Sequence, residues 1–217
     1  MLNSPLVPAI IPQSFPDLTE QIGKISHLPE VHVDVVDGVF VPYISWPYNE
    51  NGIVSTARSL LAPFSLEVDL MVEDQLAAAS AWMLAGADQL VFHAEVITPA
   101  QLERFSTEHI VTVGIAATND FPLEQLAVFF PFVEYVQVMG IAQIGAQGQS
   151  FDERVFDRIA WIRDHYPALR ISIDGSMNAT TLPRIRPLKL DRIIVGSAIM
   201  GQSDPLAAYH MLNALGH

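Results

Sequence analysis

The sequence contains no cysteine and little positive charge, and these two absences exclude several classes of function. Without cysteine there are no disulfides, no thiolate metal ligands and no cysteine nucleophile. Only 11 residues are Lys or Arg, against 24 Asp and Glu, which gives a formal net charge of −13. Nucleic acids and anionic membranes bind clustered cations, so we expect neither as a partner. We also expect an anionic substrate to be held largely by backbone N–H groups.

Long apolar runs are missing as well. No apolar stretch approaches the roughly 20 residues of a membrane span, and residues 1–5 lack the charged start and apolar run of a secretory signal. Hydrophobic residues make up 50% of the chain and charged residues 16%, which is typical of a folded protein. The sequence therefore predicts a cytoplasmic protein, with one domain covering residues 1–217.

Apolar strand-like runs alternate with helix-like stretches from one end of the chain to the other. The predicted strands lie at 6–11, 31–36, 66–72, 89–93, 110–116, 135–139, 170–174 and 192–195. The main predicted helices lie at 16–26, 75–85, 99–105, 122–130, 152–166 and 205–215. Eight strands with crossovers predict an α/β protein with the (β/α)8, or TIM-barrel, fold. A doubly wound open sheet is the alternative, but helices on both faces make repeated acidic residues in its strands costly.

Two finer predictions concern the helices. Pro99, Pro122 and Pro205 are expected in the first turns of their helices, where a missing backbone N–H costs nothing. Residues 152–166 carry an apolar stripe of helical spacing, and Arg158 and Arg163 are expected to lie off that stripe. The members of the stripe are Val155, Ile159 and Ile162.

Three predicted strands each carry a carboxylate close to the point where the apolar run ends. Side chains of a strand alternate between its two faces, so Asp34, Asp69 and Asp174 each oppose their apolar neighbours. His32 shares the face of Asp34. In one sheet, this imidazole and the three carboxylates meet at one polar spot. Such a spot is a site for a divalent metal, for acid–base catalysis, or for both.

Other polar residues near these strand ends have simpler explanations. Asp37 and Asp191 are explained equally well as turn residues or helix N-caps and as residues of a functional site. His93 is expected to be a hydrogen-bonded histidine rather than a ligand, and Glu67, one inward position deeper than Asp69, needs a buried partner. The inward face also carries, by the same parity, Met71, Gln137 and Met139. Core packing accounts for the two methionines, with contact to a substrate as the alternative.

Glycine-containing stretches follow the last three predicted strands, at 145–149, 175–176 and 196–197. Glycine lets the backbone approach a ligand closely, and N–H groups of loops and helix starts bind phosphate oxygens. Barrels often bind a phosphate at the loops after strands seven and eight. The sequence therefore predicts a phosphate site at Gly148, Gly175, Ser176, Gly196 and Ser197.

These motifs together resemble the ribulose-phosphate 3-epimerase family of (β/α)8 enzymes. The stretch HVDVVDGVFVP at 32–42 is close to the family's HVDVMDGxFVPN. The other matching stretches are DLMV at 69–72, FHAE at 92–95, GQSF at 148–151, DGS at 174–176 and GSAI at 196–199. They occur in family order and span nearly the whole chain. The family's ligand set maps onto His32, Asp34, Asp69 and Asp174, and the resemblance makes Asp34 and Asp174 the two acid–base carboxylates.

The chain departs from the family pattern in and around this site. Asp69 stands where the family has a second metal-binding histidine, Ala9 replaces a serine, and Val36 replaces a methionine near the reacting carbon. The loop at 139–145 is one residue longer than the family's MSVNPG. One histidine with three carboxylates is a harder set of ligands than two histidines with two carboxylates. This difference shifts the metal preference of the site from Zn²⁺ toward Mn²⁺, Fe²⁺ or Mg²⁺.

The resemblance implies a metal-dependent isomerase that inverts the carbon next to the ketone of a ketose phosphate, converting D-ribulose 5-phosphate to D-xylulose 5-phosphate. One divalent ion (Zn²⁺, Mn²⁺, Fe²⁺ or Mg²⁺) stabilises the enediolate, and no organic cofactor is needed. Two alternatives remain: a related barrel isomerase or lyase acting on another phosphorylated sugar, and a non-catalytic phosphosugar-binding homologue. Relatives commonly form dimers or hexamers, so the resemblance also allows a homo-oligomer.

Overall fold

A closed barrel of eight parallel strands forms the centre of the protein, which a computed structural model describes over residues 6–145 and 148–215. The strands pair in chain order, and β1 closes the barrel by pairing with β8. The strands are β1 Leu6–Ile10, β2 Glu30–Val36, β3 Ser65–Met71, β4 Gln89–His93, β5 Thr112–Ala117, β6 Tyr135–Met139, β7 Arg170–Asp174 and β8 Arg192–Val195. The predicted TIM-barrel fold is confirmed, and each predicted strand lies within two residues of an observed one.

Helices connect the strands around the outside of the barrel. The α-helices of the described residues are α1 Phe15–Lys24, α2 Arg58–Leu61, α3 Gln75–Ala85, α4 Pro99–Glu108, α5 Leu123–Leu126, α6 Arg154–His165, α7 Leu182–Ile185, α8 Ser197–Met200 and α9 Pro205–Ala214. Short 3₁₀ segments occupy Val54–Ala57, Ala127–Phe132 and Arg186–Leu188. Within these described ranges, no helix combines the length and the apolarity that a bilayer crossing requires.

The prediction of one continuous α-helix at 122–130 is wrong. Only Leu123–Leu126 is α-helical, and a 3₁₀ segment that contains Pro131 follows it. Pro122 is also not in a first turn: it is the residue before α5, with an extended backbone at ψ 132°. Pro99 and Pro205 do begin α4 and α9, as predicted.

The prediction for α6 is correct for the apolar stripe and wrong for Arg158. The three apolar residues of the stripe are buried, but Arg158 is only 7% exposed. Its Nη1 atom donates to the carbonyl oxygens of Phe121, at 2.9 Å, and Asn119, at 3.3 Å. The guanidinium group therefore stays on the buried side of the helix because backbone carbonyls of the β5–α5 connection satisfy it.

The alternation of side chains along each strand separates two layers. Outward residues such as Val33 and Val68 belong to the large apolar core between strands and helices. Inward apolar residues, among them Val36, Met71 and Met139, form a smaller cluster inside the barrel. The remaining inward positions of β2, β3, β4 and β7 are polar, and these polar positions create the candidate site.

Candidate active site

Four of the predicted residues converge at the C-terminal end of the barrel. His32 and Asp34 come from β2, Asp69 from β3, and Asp174 is the last residue of β7. Asp34 and Asp69 are direct partners in the register of β2 and β3. Each of the four residues offers one nitrogen or carboxylate oxygen, and these atoms all lie within 4.8 Å of one another.

Glu67 sets the orientation of the His32 ring. The Nδ1 atom of His32 lies 2.6 Å from Oε1 of Glu67, and its Nε2 atom lies 3.0 Å from Oδ1 of Asp34. The Oε2 atom of Glu67 accepts hydrogen bonds from the Tyr135 hydroxyl at 2.5 Å and from Nη1 of Arg192 at 2.6 Å. Burial alone would raise the pKa of Glu67, but His32, Arg192 and Tyr135 lower it. The prediction of a buried partner for Glu67 is confirmed.

The Asp69 carboxylate is held by two donors. Its Oδ1 atom lies 2.6 Å from Nε2 of His93, and its Oδ2 atom accepts a hydrogen bond of 2.8 Å from Nε2 of Gln137. Burial alone would lower the pKa of His93, but the Asp69 carboxylate raises it. The prediction that His93 is a hydrogen-bonded histidine is confirmed.

Burial and the crowding of carboxylates shift the proton affinities of the cluster. Burial raises the pKa of Asp174 to about 8, and the neighbouring charge of Asp34 adds to the effect. Burial also raises the pKa of Asp34, although the nearby imidazole of His32 opposes the shift. For His32 itself, burial acts downward, but Asp34 and Glu67 raise its pKa well above the usual value. In the absence of a cation, the cluster therefore retains protons near neutral pH.

The donor set of the cluster fits one divalent ion. A hydrogen bond from Nδ1–H of His32 to Glu67 directs Nε2 into the cluster, where a metal ion would displace the Nε2 proton and bind the lone pair, an arrangement common for ligating histidines. Ligands about 2.0–2.2 Å from a shared ion lie at most about 4.4 Å apart, so the observed limit of 4.8 Å requires only small side-chain movements. A positive ion would also neutralise the three crowded carboxylates.

A cavity of about 260 Å³ opens above the cluster at the C-terminal mouth of the barrel. Asp34 and Asp174 line it, together with Met71. His32 and Asp69 are not among its lining residues and are fully buried beneath it. Met139, predicted at the same level, belongs to the apolar cluster inside the barrel and does not line the cavity.

The residues of the predicted phosphate site all line this cavity: Gly148, Gly175, Ser176, Gly196 and Ser197. Three of them adopt left-handed backbone conformations, with φ of 78° at Gly148, 101° at Gly175 and 58° at Ser176. Ala146 and Gln147 of the same glycine-containing stretch lie outside the described residues. No Arg or Lys is found among the described residues that line the cavity, so its donors toward an anion are backbone N–H groups, hydroxyls and the side-chain amides of Gln149 and Asn178.

Several residues that contribute to this region were not singled out from the sequence. Tyr135 and Arg192 bind Glu67 from β6 and β8, and only their inward parity could have indicated them. Asn178, which lines the cavity, orders the loop after β7 by donating to the carbonyl of Ser176 at 3.0 Å. Asp37, in contrast, is a turn residue that accepts hydrogen bonds from three backbone N–H groups.

Comparisons with known proteins agree with this geometry. A model of the "Ribulose-phosphate 3 epimerase family" matches residues 5–200. The ribulose-phosphate 3-epimerase of Mycobacterium leprae is 28% identical over 210 residues, covering 94% of this chain and 91% of that protein. The Bacillus subtilis enzyme of the same name is 27% identical over 207 residues, with coverages of 92% and 93%. Among solved structures, KGPDC from Streptococcus mutans in complex with D-R5P has a TM-score of 0.75 at 13% identity, with coverages of 99% and 97%, which supports the barrel fold.

Proposed function

The chain belongs to the ribulose-phosphate 3-epimerase family, and we propose that it interconverts D-ribulose 5-phosphate and D-xylulose 5-phosphate by inverting the carbon next to the ketone. Membership in this family confirms both the resemblance seen in the motifs and the prediction of an isomerase. The observation that carries the proposal is that Asp34 and Asp174, from β2 and β7, open onto one cavity lined by the glycine loops.

We assign the two proton transfers to Asp34 and Asp174. Inversion requires a base on one face of the reacting carbon and an acid on the other. In the barrel β1 and β8 separate the strands of the two carboxylates, so these groups reach the cavity from different directions. Without an ion, burial raises the pKa of Asp174 to about 8; a bound ion would lower it, because carboxylates ligate metals in their ionised form. In each direction of the reaction, one of the two carboxylates takes the proton from carbon and the other carboxyl group returns one on the opposite face.

The proposal includes a divalent ion held by His32, Asp34, Asp69 and Asp174. When bound, the ion would supply positive charge that stabilises the enediolate formed by loss of the proton. Glu67 keeps the Nε2 atom of His32 directed at the cluster. Since the four donors are one nitrogen and three carboxylates, the site should favour Mn²⁺, Fe²⁺ or Mg²⁺ over Zn²⁺ relative to a two-histidine site.

We propose that the substrate phosphate binds at the loops after β6, β7 and β8. The same cavity is lined by the glycines and hydroxyls of these loops and by Asp34 and Asp174, so a short sugar phosphate bound there would contact both groups. Gly175 and Gly196 permit close approach of the backbone to the phosphate oxygens. The hydroxyl of Ser197 adds an exposed donor.

The test is proton–deuterium exchange at carbon for a panel of ketose phosphates, combined with a metal assay of the purified protein. Exchange and epimerisation of ribulose 5-phosphate that are lost after chelation and restored by a divalent ion support the proposal. Exchange only with a different sugar phosphate would indicate a related isomerase or lyase. Binding of ribulose 5-phosphate without exchange would indicate a non-catalytic phosphosugar-binding protein.

A further inference from the structure

The environment of Asp69 differs from that of the other three carboxylate and imidazole groups in the cluster. Both Asp69 oxygens are engaged, one by Nε2 of His93 and the other by the side-chain amide of Gln137. Asp69 and His93 are fully inaccessible to solvent, and Gln137 is 1% exposed. A carboxylate oxygen carries two lone pairs, so each Asp69 oxygen keeps one after these hydrogen bonds.

His93 and Gln137 are themselves fixed, so they can impose an orientation. The backbone N–H of His93 donates to Oε1 of Gln75 at 3.0 Å, and the Gln75 amide returns a bond to the His93 carbonyl at 3.3 Å. The ring of Phe40 packs against the imidazole with centroids 5.4 Å apart. Gln137 lies on β6, where its backbone pairs with Ala116 on one side and Ser172 on the other.

Among the described residues, the only other side-chain hydrogen bond of these two residues is a long one, of 3.9 Å, from Nε2 of Gln137 to Sδ of Met139. Nδ1 of His93 and Oε1 of Gln137 are buried without a hydrogen-bond partner among the described residues. Leaving such atoms unpaired costs free energy, and an apolar side chain at position 137 would avoid that cost. The one polar side-chain contact of Gln137 with an oxygen atom is the bond to Asp69.

We propose that Gln137 and His93 are positioning residues that hold the Asp69 carboxylate as an oxygen ligand and so set the metal preference of the site. The inference rests on the proposed function, because it assumes that the cluster binds a divalent ion. A carboxylate that is hydrogen-bonded at both oxygens is already fixed, with its remaining lone pairs directed into the cluster. It therefore loses no side-chain entropy when a metal binds. Without these two hydrogen bonds, Asp69 would contribute less to the binding of hard ions such as Mn²⁺.

The test compares Mn²⁺ and Zn²⁺ affinities of the wild type, Gln137→Leu and His93→Phe, by calorimetry and by the electron paramagnetic resonance of bound Mn²⁺. Leu is similar in size to Gln, and Phe keeps the ring that packs on Phe40. Loss of an outer hydrogen-bond partner typically costs 10–100-fold in metal affinity. We expect a loss of that size for Mn²⁺, a smaller loss for Zn²⁺, and an altered Mn²⁺ spectrum. Ser172→Ala, at the buried position beside Gln137 in the barrel, is the matched control and should leave both affinities unchanged.

A double-mutant comparison separates positioning from general loss of packing. In an Asp69→Asn background, Gln137→Leu should cause no further loss of Mn²⁺ affinity, because its effect acts through the Asp69 carboxylate. An equal loss in both backgrounds would overturn the inference, as would unchanged Mn²⁺ affinity in Gln137→Leu. If Gln137→Leu does not fold, Gln137→Met serves the same comparison. The positioning role alone is refuted if the metal-bound wild type epimerises ribulose 5-phosphate but the variants keep its Mn²⁺ affinity. Both proposals are refuted if the wild type binds no metal.

Discussion

Asp69 is the residue at which this chain departs most clearly from its family pattern, and its neighbours supply the hydrogen-bond donors that a buried aspartate needs. An anionic side chain at a fully buried position is costly unless donors surround it. His93 and Gln137 supply two donors at 2.6 and 2.8 Å. The substitution is therefore accommodated by neighbours on β4 and β6 and is not an isolated change.

Replacing Asp69 by histidine should move the metal preference toward Zn²⁺. The substitution exchanges a hard anionic oxygen donor for a neutral nitrogen donor. It also places beside His93 an imidazole, which accepts a hydrogen bond less well than a carboxylate does. We expect the ratio of Zn²⁺ to Mn²⁺ affinity, measured by competition with a chelating dye, to rise in Asp69→His. Asp69→Ala should lower the metal content of the protein as purified. An identical metal ranking in the wild type and both variants would show that Asp69 is not a ligand.

Asp34→Asn and Asp174→Asn should each remove nearly all turnover while the fold is retained. A neutral amide can neither accept a proton from carbon nor donate an acidic one, and acid–base groups typically contribute about 10²–10⁴-fold to the rate. Turnover of ribulose 5-phosphate and far-ultraviolet circular dichroism measure the two outcomes. Glu73→Gln, an exposed carboxylate just after β3, is the control that should retain activity. More than about a tenth of the wild-type rate in either Asn variant is incompatible with the assignment.

At the scale of elements, the loops after β6, β7 and β8 form one side of the cavity. Their glycines are not equally suitable for mutation. Gly175 has a φ of 101°, and a Cβ atom there would lie 2.8 Å from Cγ1 of Ile141. A side chain at Gly175 would strain the loop whether or not phosphate binds. Ser197 is exposed in the same cavity and avoids this problem.

Ser197→Glu should raise the KM for ribulose 5-phosphate with little change in melting temperature. Two like charges about 5 Å apart repel by about 3 kcal/mol at an effective dielectric constant of about 20, which corresponds to a rise in KM of about a hundredfold. Ser197→Ala removes only the hydroxyl and should have a smaller effect. Steady-state kinetics of both variants provide the measurement. An unchanged KM in Ser197→Glu would place the phosphate elsewhere.

At the scale of the whole molecule, the closed barrel gathers ionisable groups into an interior where several of them have no solvent-accessible surface. His32, Glu67 and Asp69 are fully buried, and Arg192 reaches Glu67 from the far end of the barrel. Stability of the folded state therefore depends on protonation and on any bound cation. Other properties of the whole protein stay predictions: the organisation as a single domain, the cytoplasmic location and a homo-oligomeric assembly.

The metal-free protein should become less stable as pH rises from about 5 to about 8. The Asp174 carboxyl group, with a pKa of about 8 in the folded state, retains a proton that the unfolded chain releases near pH 4. The raised pKa values of His32 and His93 act in the same direction, because the folded state again binds more protons. Stability falls with pH wherever the folded state holds the excess of protons. Urea unfolding of chelator-treated protein across this pH range measures the effect.

Two further measurements check the origin of this pH dependence. Asp174→Asn should show a flatter dependence, since it removes one of the retained protons. Metal binding to the wild type near neutral pH should release protons, detectable by calorimetry in buffers of different ionisation enthalpy. Stability that stays constant or increases over the same range would contradict the assigned pKa directions.

The sequence by itself determined the eight strands, the fold and the four cluster residues. Strand alternation has a period of two, so the inward position of Asp34 and Asp69 follows from local order alone. Eight strands with crossovers restrict the topology to very few folds. Short elements such as α2, α7 and α8 were not predicted, because four residues are too few to show a helical period.

Only the tertiary structure decided which side chains satisfy the buried charges. Pairs such as Glu67 with Arg192, Asp69 with Gln137, and Arg158 with the carbonyl of Phe121 join distant parts of the chain. No periodicity encodes such pairs, since each depends on the closed barrel and on how far an individual side chain reaches. The sequence therefore indicated where the cluster lies, and the packed barrel decided how each of its members is held.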